Sequence, residues 1–347
     1  MKGGFTLLLL LSILFGCSRK EKEINIRIPI YTWGGYAPLI LAAGNKDGEK
    51  KDSLFYKYGK FNVLLEKNEN ISEHISNFIN GTYPIICVSV DMLPLICSQL
   101  SNNKNAIPKV FGILDFSYGG DNIIIRGNIK NIMDLKGKRI ITIKHSPSHF
   151  IMLYLLNQAN LYENDVEFIF AENPQSAKED FISNKAIDAL ACWSPFTYYI
   201  AETKSRFYIK GCQSFVSTAD ATISGLIARV FIARSDFIKN NPDTITYFMK
   251  AYFEACNLIQ ENKEIAIEAL TNFFELTNGT NETIRMLNET KFADIKESID
   301  FFNGNLYRIF MLSSELYKNN RNALPSEFNI NPEEIIFTNA ILRSLQN

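Results

Sequence analysis

The chain has 347 residues, of which 46% are hydrophobic and 12% are aromatic, and its formal net charge is -1. This composition is that of a globular protein and excludes a disordered chain, and the length suffices for two domains. The near-neutral charge argues against a nucleic-acid partner, because such a partner requires a basic face.

Residues 1–17 predict a lipoprotein signal peptide. Lys2 precedes an apolar run over 5–15, which is shorter than the roughly 20 residues needed to span a bilayer. The run ends in Leu14-Phe15-Gly16-Cys17, which resembles a bacterial lipobox with Cys17 as the lipidated residue. A plain secretory signal with a chance cysteine is the alternative. Residues 18–23 then form a polar tether, and we expect an exported protein that is anchored to a bacterial membrane by lipid alone.

The cysteines beyond Cys17 give no sign of a metal site. They are Cys87, Cys97, Cys192, Cys212 and Cys256. Small buried thiols are the expected state, although Cys87 and Cys97 can also pair in an oxidising compartment, and the sequence leaves this open. No CxxC motif and no Cys/His cluster is present. We therefore expect neither a metal nor a cofactor.

The stretch Tyr31-Thr32-Trp33-Gly34-Gly35-Tyr36-Ala37-Pro38 is the first candidate site. The alternating run 24–30 predicts a strand before it, and Pro38 suits the first turn of a helix after it. The glycines allow backbone N–H groups to approach a guest closely, and the two large aromatic rings would form flat walls. The candidate ligand-binding residues here are Trp33, Gly34, Gly35 and Tyr36. An ordinary loop whose aromatic side chains belong to the core is the alternative.

The next segments predict alternating strands and helices. Strands are expected at 61–66 and 84–90, an outer loop at 45–60 and a helix at 72–80, and a further helix begins at Asp91. This order predicts a mainly parallel sheet with right-handed crossovers. Ser89, at the end of the second of these strands, is a weaker candidate for ligand binding.

The segment 110–126 predicts a crossing between two domains. Strand-like runs at 111–114 and 122–126 flank a polar turn, in which Tyr118 is a weaker candidate for the site and Asp121 would favour an amine. A second pass at 215–221, containing the candidate Asp220, precedes a strand expected at 224–233.

Two more turns repeat the arrangement of residues 31–38, in which a strand leads through a turn to the start of a helix. The strand 140–143 leads to Ser146-Pro147, a helix start at which Ser146, Ser148 and His149 would form a small cup for an anion or a carbonyl group. A metal bound by His145 and His149 is disfavoured, because no carboxylate motif accompanies them. The strand 187–193 then ends in Trp193 and Ser194, where Pro195 predicts a third helix start. Ligands of open α/β sheets bind at such carboxyl ends of strands.

The chain beyond residue 241 predicts helices. Their expected ranges are 243–259, 263–275, 294–303, 306–317 and 332–345. The Phe, Ile, Leu and Tyr stripes of these helices indicate packing rather than chemistry.

The mature sequence resembles the periplasmic solute-binding proteins of nitrate, sulfonate, taurine and thiamine-precursor ABC importers. The resemblance rests on an ordered set of motifs: Trp33-Gly34-Gly35-Tyr36, Asp115-Phe116-Ser117-Tyr118-Gly119-Gly120-Asp121, Asp134-Leu135-Lys136-Gly137-Lys138-Arg139, Ser146-Pro147-Ser148-His149-Phe150, Ile187-Asp188-Ala189 with Trp193-Ser194-Pro195, and Ser235-Asp236-Phe237 with Asn241-Pro242.

The resemblance implies the type II periplasmic-binding-protein fold, with two α/β domains joined by two crossing segments around a ligand cleft. Domain 1 would comprise 24–114 and 225–347, domain 2 would comprise 122–217, and the crossings would lie at 114–122 and 217–224. The binding residues named above are carried over by position.

The implied function is that of a monomeric, substrate-binding lipoprotein that delivers a small solute to an ABC permease and its ATPase. Helix N-termini favour an oxyanion such as nitrate or a sulfonate, the aromatic residues favour a flat ring such as a pyrimidine, and Asp121 and Asp220 favour an amine. A zwitterion such as taurine satisfies all three. The alternatives are a binding module for a sensor or receptor, and an enzyme like the thiamine-pyrimidine synthases, whose cysteine-rich iron motif is not found here.

Overall fold

The structure is a computed structural model and describes residues 24–44, 53–101, 103, 106–276, 279–320 and 323–346. The predicted signal peptide, Cys17 and the tether therefore lie outside the described residues, as does the part 45–52 of the expected outer loop. Over the described ranges, no helix is long and apolar enough to span a membrane.

The strands and helices carry the following labels. The strands are β1 (Asn25–Ile30), β2 (Asn62–Lys67), β3 (Ile85–Ser89), β4 (Pro108–Ser117), β5 (Asp121–Arg126), β6 (Arg139–Ile143), β7 (Glu167–Ala171), β8 (Ala189–Trp193), β9 (Cys212–Ser217), β10 (Ala228–Arg234) and β11 (Thr290–Lys291). The α-helices are α1 (Ala37–Ala43), α2 (Leu54–Gly59), α3 (Ile71–Ile79), α4 (Leu93–Leu100), α5 (Pro147–Gln158), α6 (Pro174–Ser183), α7 (Ser235–Asn240), α8 (Pro242–Glu261), α9 (Lys263–Phe274), α10 (Thr280–Asn288), α11 (Ile295–Phe302), α12 (Asn305–Asn319) and α13 (Asn339–Gln346).

The strands form two lobes. In the first lobe β1 and β2 pair in parallel, and a second sheet has the order β11-β4-β10-β3 with antiparallel pairing throughout. In the second lobe the order is β7-β6-β8-β5-β9, in which β6 is parallel to β7 and β8, and β5 is antiparallel to β8 and β9. The prediction of a mainly parallel sheet is therefore wrong for the first lobe.

The reason for the antiparallel pairing is the way in which the chain crosses between the lobes. It leaves the first lobe along β4 and β5 and returns along β9 and β10, so the outgoing and returning strands run in opposite directions. The two crossings are also joined by side chains. The hydroxyl oxygens of Ser117 and Thr218 lie 2.9 Å apart, and the Gly119 N–H donates to Thr218 Oγ1 at 2.8 Å.

The first crossing is shorter than the sequence predicts. Asp115, Phe116 and Ser117 were expected in a polar turn, but they continue β4, because they pair with β10 and β11. In the second crossing, turns replace the start of the strand expected at 224–233, since the N–H groups of Ile223 and Ser224 donate to the Asp220 carbonyl. The domain boundaries given above stay a prediction.

Four predicted segments differ from the structure for local reasons. The expected outer loop contains α2, which Ser53 caps by accepting the Tyr56 N–H at 3.3 Å.

The sequence does not predict helix α10, because its buried side chains are mostly polar. The helix expected at 332–345 is interrupted at Ile336, which bridges Val110 and leaves a short 3-10 helix before α13. The helix expected from Ser194 is a series of turns over 194–200, in which the Phe196 N–H donates to the Trp193 carbonyl at 3.0 Å.

Candidate functional site

Trp33 follows β1 and lies in the interior between the lobes. Its side chain is fully buried, its indole N–H donates to Asp115 Oδ2, and the Arg229 guanidinium carbon lies 3.9 Å from the centre of its ring. Trp33 is thus packed on all sides by protein groups. This arrangement makes it a structural element of the site rather than a wall open to a solute.

Arg229 on β10 links the two lobes. Its Nε donates to the Tyr31 hydroxyl at 2.9 Å, its Nη1 lies 3.3 Å from Asp115 Oδ1, and its Nη2 lies 3.5 Å from Asp121 Oδ2. Burial alone would lower the pKa of Arg229, but the surrounding Tyr31, Asp115 and Asp121 raise it above its ordinary value. The sequence analysis missed this residue, although a single arginine in the apolar run Leu226-Ile227-Ala228-Arg229-Val230-Phe231 was an available signal.

Asp91 lies just beyond the end of β3, in a short 3-10 helix that begins after the buried Ser89. The Tyr317 hydroxyl is 3.5 Å from Asp91 Oδ2, whereas Asp91 Oδ1 has no hydrogen-bond partner among the described residues. Burial raises the pKa of Asp91 to about 7, and the negative charge of Asp121 acts in the same direction. Asp91 was not among the candidates from sequence.

The N-terminus of α5 contributes Ser148 to the same region. Ser146 caps this helix as predicted, because its hydroxyl accepts the His149 N–H at 3.3 Å. One of the N–H groups that the sequence predicts for an anion or a carbonyl group is therefore already bonded to Ser146. The Ser148 hydroxyl donates to Asp121 Oδ1 at 3.1 Å, which places the helix start against the first residue of β5.

Trp193 at the end of β8 faces the first lobe. Its ring centre lies 5.5 Å from that of Tyr31, and Tyr31 in turn meets Tyr36 edge-on at 5.4 Å. The indole Nε1 of Trp193 and the hydroxyl of Tyr36 are buried, and neither has a hydrogen-bond partner over the ranges that the structure describes. The hydroxyl of the next residue, Ser194, donates to the Glu289 carboxylate of the first lobe and is therefore already paired.

These side chains form one buried group, which we call the interlobe cluster. Its members are Tyr31, Tyr36, Asp115, Asp121, Trp193 and Arg229, which are linked by contacts, and Asp91, which is coupled to Asp121 and Arg229 through its charge. Four polar atoms of the cluster, belonging to four different residues, have no hydrogen bond to the described part of the chain: Tyr36 Oη, Asp91 Oδ1, Asp121 Oδ2 and Trp193 Nε1. Buried polar groups are almost always paired, so this concentration of unpaired atoms makes the interlobe cluster the candidate binding site.

Two sequence candidates lie elsewhere. Tyr118 is 56% exposed and borders a surface cavity of about 390 Å³, together with Ser224 and Lys291. Asp220 is exposed, and its carboxylate accepts the Ser217 N–H at 2.6 Å within the second crossing. The structure therefore does not bring either residue to the interlobe cluster.

His149 lies beside a separate cavity of about 310 Å³, which is bordered by Lys144 and His145 from the second lobe and by Tyr317 from the first. His149 Nδ1 accepts the His145 N–H at 3.2 Å, and its ring meets Phe168 and Phe170 edge-on. Burial lowers the pKa of His149 to about 3, so the ring is neutral. His149 therefore borders this cavity and not the interlobe cluster.

The two glycines after Trp33 serve packing. A side-chain carbon on Gly34 would lie 2.6 Å from the Met286 carbonyl oxygen, and one on Gly35 would collide with Asp115 Oδ2 and the Trp33 indole. The sequence predicts that these glycines allow a guest to approach the backbone. In the structure the Met286 carbonyl oxygen packs against Gly34, and the Trp33 and Asp115 side chains pack against Gly35.

The variant Gly35→Ala is expected to lose about 1–3 kcal/mol of unfolding free energy, because the added methyl group must displace a buried carboxylate. Urea denaturation measures the loss. Gly304→Ala is the matched control, since a side-chain carbon at Gly304 meets no atom within 4 Å. Equal stability of the two variants would contradict the packing role of Gly35.

The described cysteines are free and buried, including Cys87 and Cys97, so the pairing that the sequence left open is not formed in this structure. Within the described ranges, no group of three or more His, Cys, Asp or Glu side chains is arranged to hold a metal ion.

The geometry defines a class of protein: two α/β lobes joined by two adjacent crossings, with a buried polar cluster between them. Residues 122–266 match the family model described as NMT1/THI5 like.

Solved structures of binding proteins resemble this chain. One is the periplasmic aliphatic sulphonate binding protein SsuA from Escherichia coli, which matches at a TM-score of 0.67 and 18% identity, covering 92% of this chain and 100% of that chain. The nitrate-binding protein NrtA from Synechocystis PCC 6803 matches at a TM-score of 0.59 and 15% identity, covering 91% of this chain and 92% of that chain.

The curated relatives match a part of the sequence. A Brucella abortus protein named as a binding protein is 24% identical over 163 residues, which cover 47% of this chain and 49% of that protein. A Brachyspira hyodysenteriae protein named as an ABC transporter periplasmic binding protein is 29% identical over 150 residues, which cover 43% of this chain and 40% of that protein. The aligned segments thus span about half the length of these relatives or less.

The comparisons confirm the resemblance to this group and the predicted fold class. The chain has the fold of the periplasmic binding proteins and carries an NMT1/THI5-like segment over residues 122–266. The similar structures are mostly binding proteins, but the desulfurization enzyme DSZB also matches, at a TM-score of 0.59 and 12% identity, covering 93% of this chain and 99% of that chain.

Proposed function

We propose that this chain is the solute-binding component of an ABC importer, which captures a small molecule between its two lobes and delivers it to a permease and its ATPase. The observation that carries the proposal is the interlobe cluster, in which four buried polar atoms from both lobes have no hydrogen bond to the described residues. The names of the similar proteins support the same function.

Capture requires a difference in affinity between open and closed arrangements of the lobes. Contacts across the cleft, such as Arg229 with Asp121 and Ser194 with Glu289, hold the lobes together. A solute that pairs with Tyr36 Oη on one lobe and Trp193 Nε1 on the other would bind the closed arrangement preferentially. It would thereby stabilise the closed form against the open one.

The proposal is tested by thermal melting of the chain from residue 18 onward against a panel of solutes. Nitrate, taurine, alkyl sulfonates, aromatic carboxylates, pyrimidine precursors and simple amines make up the panel. A solute at 100 times its Kd adds about 2.7 kcal/mol of stability, which is a shift of several degrees for lobes of this size. A melting temperature that no small solute moves would argue against a solute-binding protein.

We further propose that the chain binds its solute without transforming it. The predominance of binding proteins among the similar structures supports this. Mass spectrometry of a solute recovered after prolonged incubation would test it, and recovery of a chemically altered product would favour the enzyme alternative.

We propose, lastly, that the exported protein is a monomer anchored through a lipid on Cys17. The variant Cys17→Ala should move the protein from the membrane fraction to the soluble fraction, because the lipid is the expected anchor. The intact mass of the wild-type protein provides the second measurement. A mature wild-type chain without the added mass of a lipid would contradict the anchor.

A further inference from the structure

We propose that the solute is an organic cation, whose ammonium or amidinium group is received by Asp91 and Asp121 in the interlobe cluster. The inference rests on the proposed function, since it assigns the chemical class of the captured solute. It follows from the charges of the cluster and from which of its atoms are already paired.

The charges of the cluster do not balance. Asp91, Asp115 and Asp121 are buried to 1% exposure or less, and Arg229 is the cation that contacts this group. With all four groups ionised, two negative charges lack a buried counter-charge among the residues that the structure describes. Burial of an uncompensated charge is costly, so a positively charged guest would stabilise this arrangement and a negatively charged guest would not.

Arg229 is not free to receive an anion. Its guanidinium contacts Asp115 and Asp121 and donates to Tyr31 along its edges, and the Trp33 ring covers one of its faces. An anionic solute would have to displace one of these carboxylates from the arginine. The sequence also predicts that helix N-termini favour an oxyanion, but the His149 N–H at the start of α5 already donates to the Ser146 hydroxyl oxygen.

The three carboxylates differ in how far they are paired. Both oxygens of Asp115 are engaged, one by the Trp33 indole and the other by Arg229. By contrast, Asp91 Oδ1 has no hydrogen-bond partner in the described part of the chain, and Asp121 Oδ2 has the 3.5 Å ion-pair contact with Arg229 Nη2 but no hydrogen bond there. These two oxygens are the acceptors that an ammonium or amidinium group would satisfy.

The electrostatics of Asp91 support the same assignment. Its pKa is raised to about 7, first by burial and also by the charge of Asp121. A carboxyl group in this state becomes fully ionised at neutral pH when an opposite charge arrives beside it.

The aromatic members complete the recognition of a cation. The rings of Tyr31, Tyr36 and Trp193 lie together in the cluster, and aromatic faces attract organic cations. The Trp193 Nε1–H is a donor that the described part of the chain leaves without an acceptor. The solute should therefore also carry one hydrogen-bond acceptor beside its charged group.

The test uses thermal melting of the purified protein with three probes of one skeleton and different charge: 2-phenylethylamine, 2-phenylethanol and 3-phenylpropionate. Tyramine and benzamidine extend the cationic arm, and nitrate and methanesulfonate extend the anionic arm. We expect the cations to raise the melting temperature and the matched alcohol and carboxylate to leave it unchanged. The variant Asp91→Asn should weaken the binding of the cation at least about tenfold, as expected for the loss of one charge-assisted hydrogen bond.

A second measurement needs no ligand. If Asp91 carries surplus charge for a solute, Asp91→Asn should raise the melting temperature of the ligand-free protein by about 2 °C or more. Asp115→Asn is the matched control and should lower it, because both oxygens of Asp115 are paired.

The outcomes separate the two proposals. A shift with anions or the alcohol alone would overturn the cation assignment and leave the solute-binding function standing. A flat response to every solute, in this panel and in the wider one above, would count against both. A loss of melting temperature in Asp91→Asn as large as that in Asp115→Asn would make Asp91 a structural residue and overturn the inference.

Discussion

The variant Trp33→Ala is expected to lose about 3–5 kcal/mol of unfolding free energy, the range for removing a fully buried large aromatic side chain. The loss has three sources in the structure. The indole fills the space beside Gly120, it covers the face of Arg229, and its N–H satisfies Asp115. Its removal would leave a cavity and a buried carboxylate with one oxygen unpaired. Guanidinium chloride denaturation followed by circular dichroism measures the change.

The two tryptophans provide a matched pair for this prediction. Trp33→Phe keeps most of the volume but removes the donor to Asp115, so it should still cost about 1–3 kcal/mol. Trp193→Phe removes an N–H that has no partner, so its stability should change little, whereas solute binding should weaken. Equal stability of the two phenylalanine variants would refute the different roles that the structure gives to these residues.

When the pH is lowered from 7.5 to 5, the unfolding free energy of the variant His149→Gln is expected to rise by about 2 kcal/mol relative to that of the wild type. Burial lowers the pKa of His149 to about 3 in the folded chain, against about 6.5 for an exposed imidazole. Between these two values the unfolded chain binds a proton that the folded chain does not bind. Lowering the pH by one unit in this window therefore reduces the unfolding free energy of the wild type by about 1.4 kcal/mol. The glutamine variant lacks this imidazole and does not lose that stability.

The comparison of two proteins at each pH isolates this effect. His74 and His145 also have a pKa lowered by burial, to about 4 in each case, and Asp91 acts in the opposite direction because its pKa is raised. These contributions are common to the wild type and the variant and cancel in the difference. Urea denaturation at pH 5.0, 6.0 and 7.5 provides the data, and a difference that is independent of pH would show that folding does not lower the pKa of His149.

Local signals in the sequence identified much of the first half of the fold. The alternation at 24–30 predicted β1, and Ser146-Pro147 predicted the start and the cap of α5, because both depend on neighbouring residues alone. The long-range partners were beyond such signals. Whether Asp115 belongs to a turn or to a strand depends on its pairing with Arg229, which is 114 residues away in the chain.

The candidate site shows the same division. Sequence placed Trp33, Tyr36, Ser148 and Trp193 between the lobes, but it could not distinguish a packed tryptophan from one with an unpaired donor. Arg229 and Asp91 were missed because each stands in an apolar segment, where periodicity indicates only burial. Their charge becomes informative once the fold shows which carboxylates surround the arginine.

The position of β10 has a consequence for the order of folding. This strand lies between β3 and β4, yet it is made after all five strands of the second lobe. A nascent chain that ends at residue 217 can complete the contiguous second lobe, whereas the first lobe then holds apolar strands β3 and β4 with their facing edges unpaired. Such edges favour association with other chains, and pairings over long sequence separations form slowly. The late arrival of β10 therefore leaves the facing edges of β3 and β4 open to such association until the first lobe is completed.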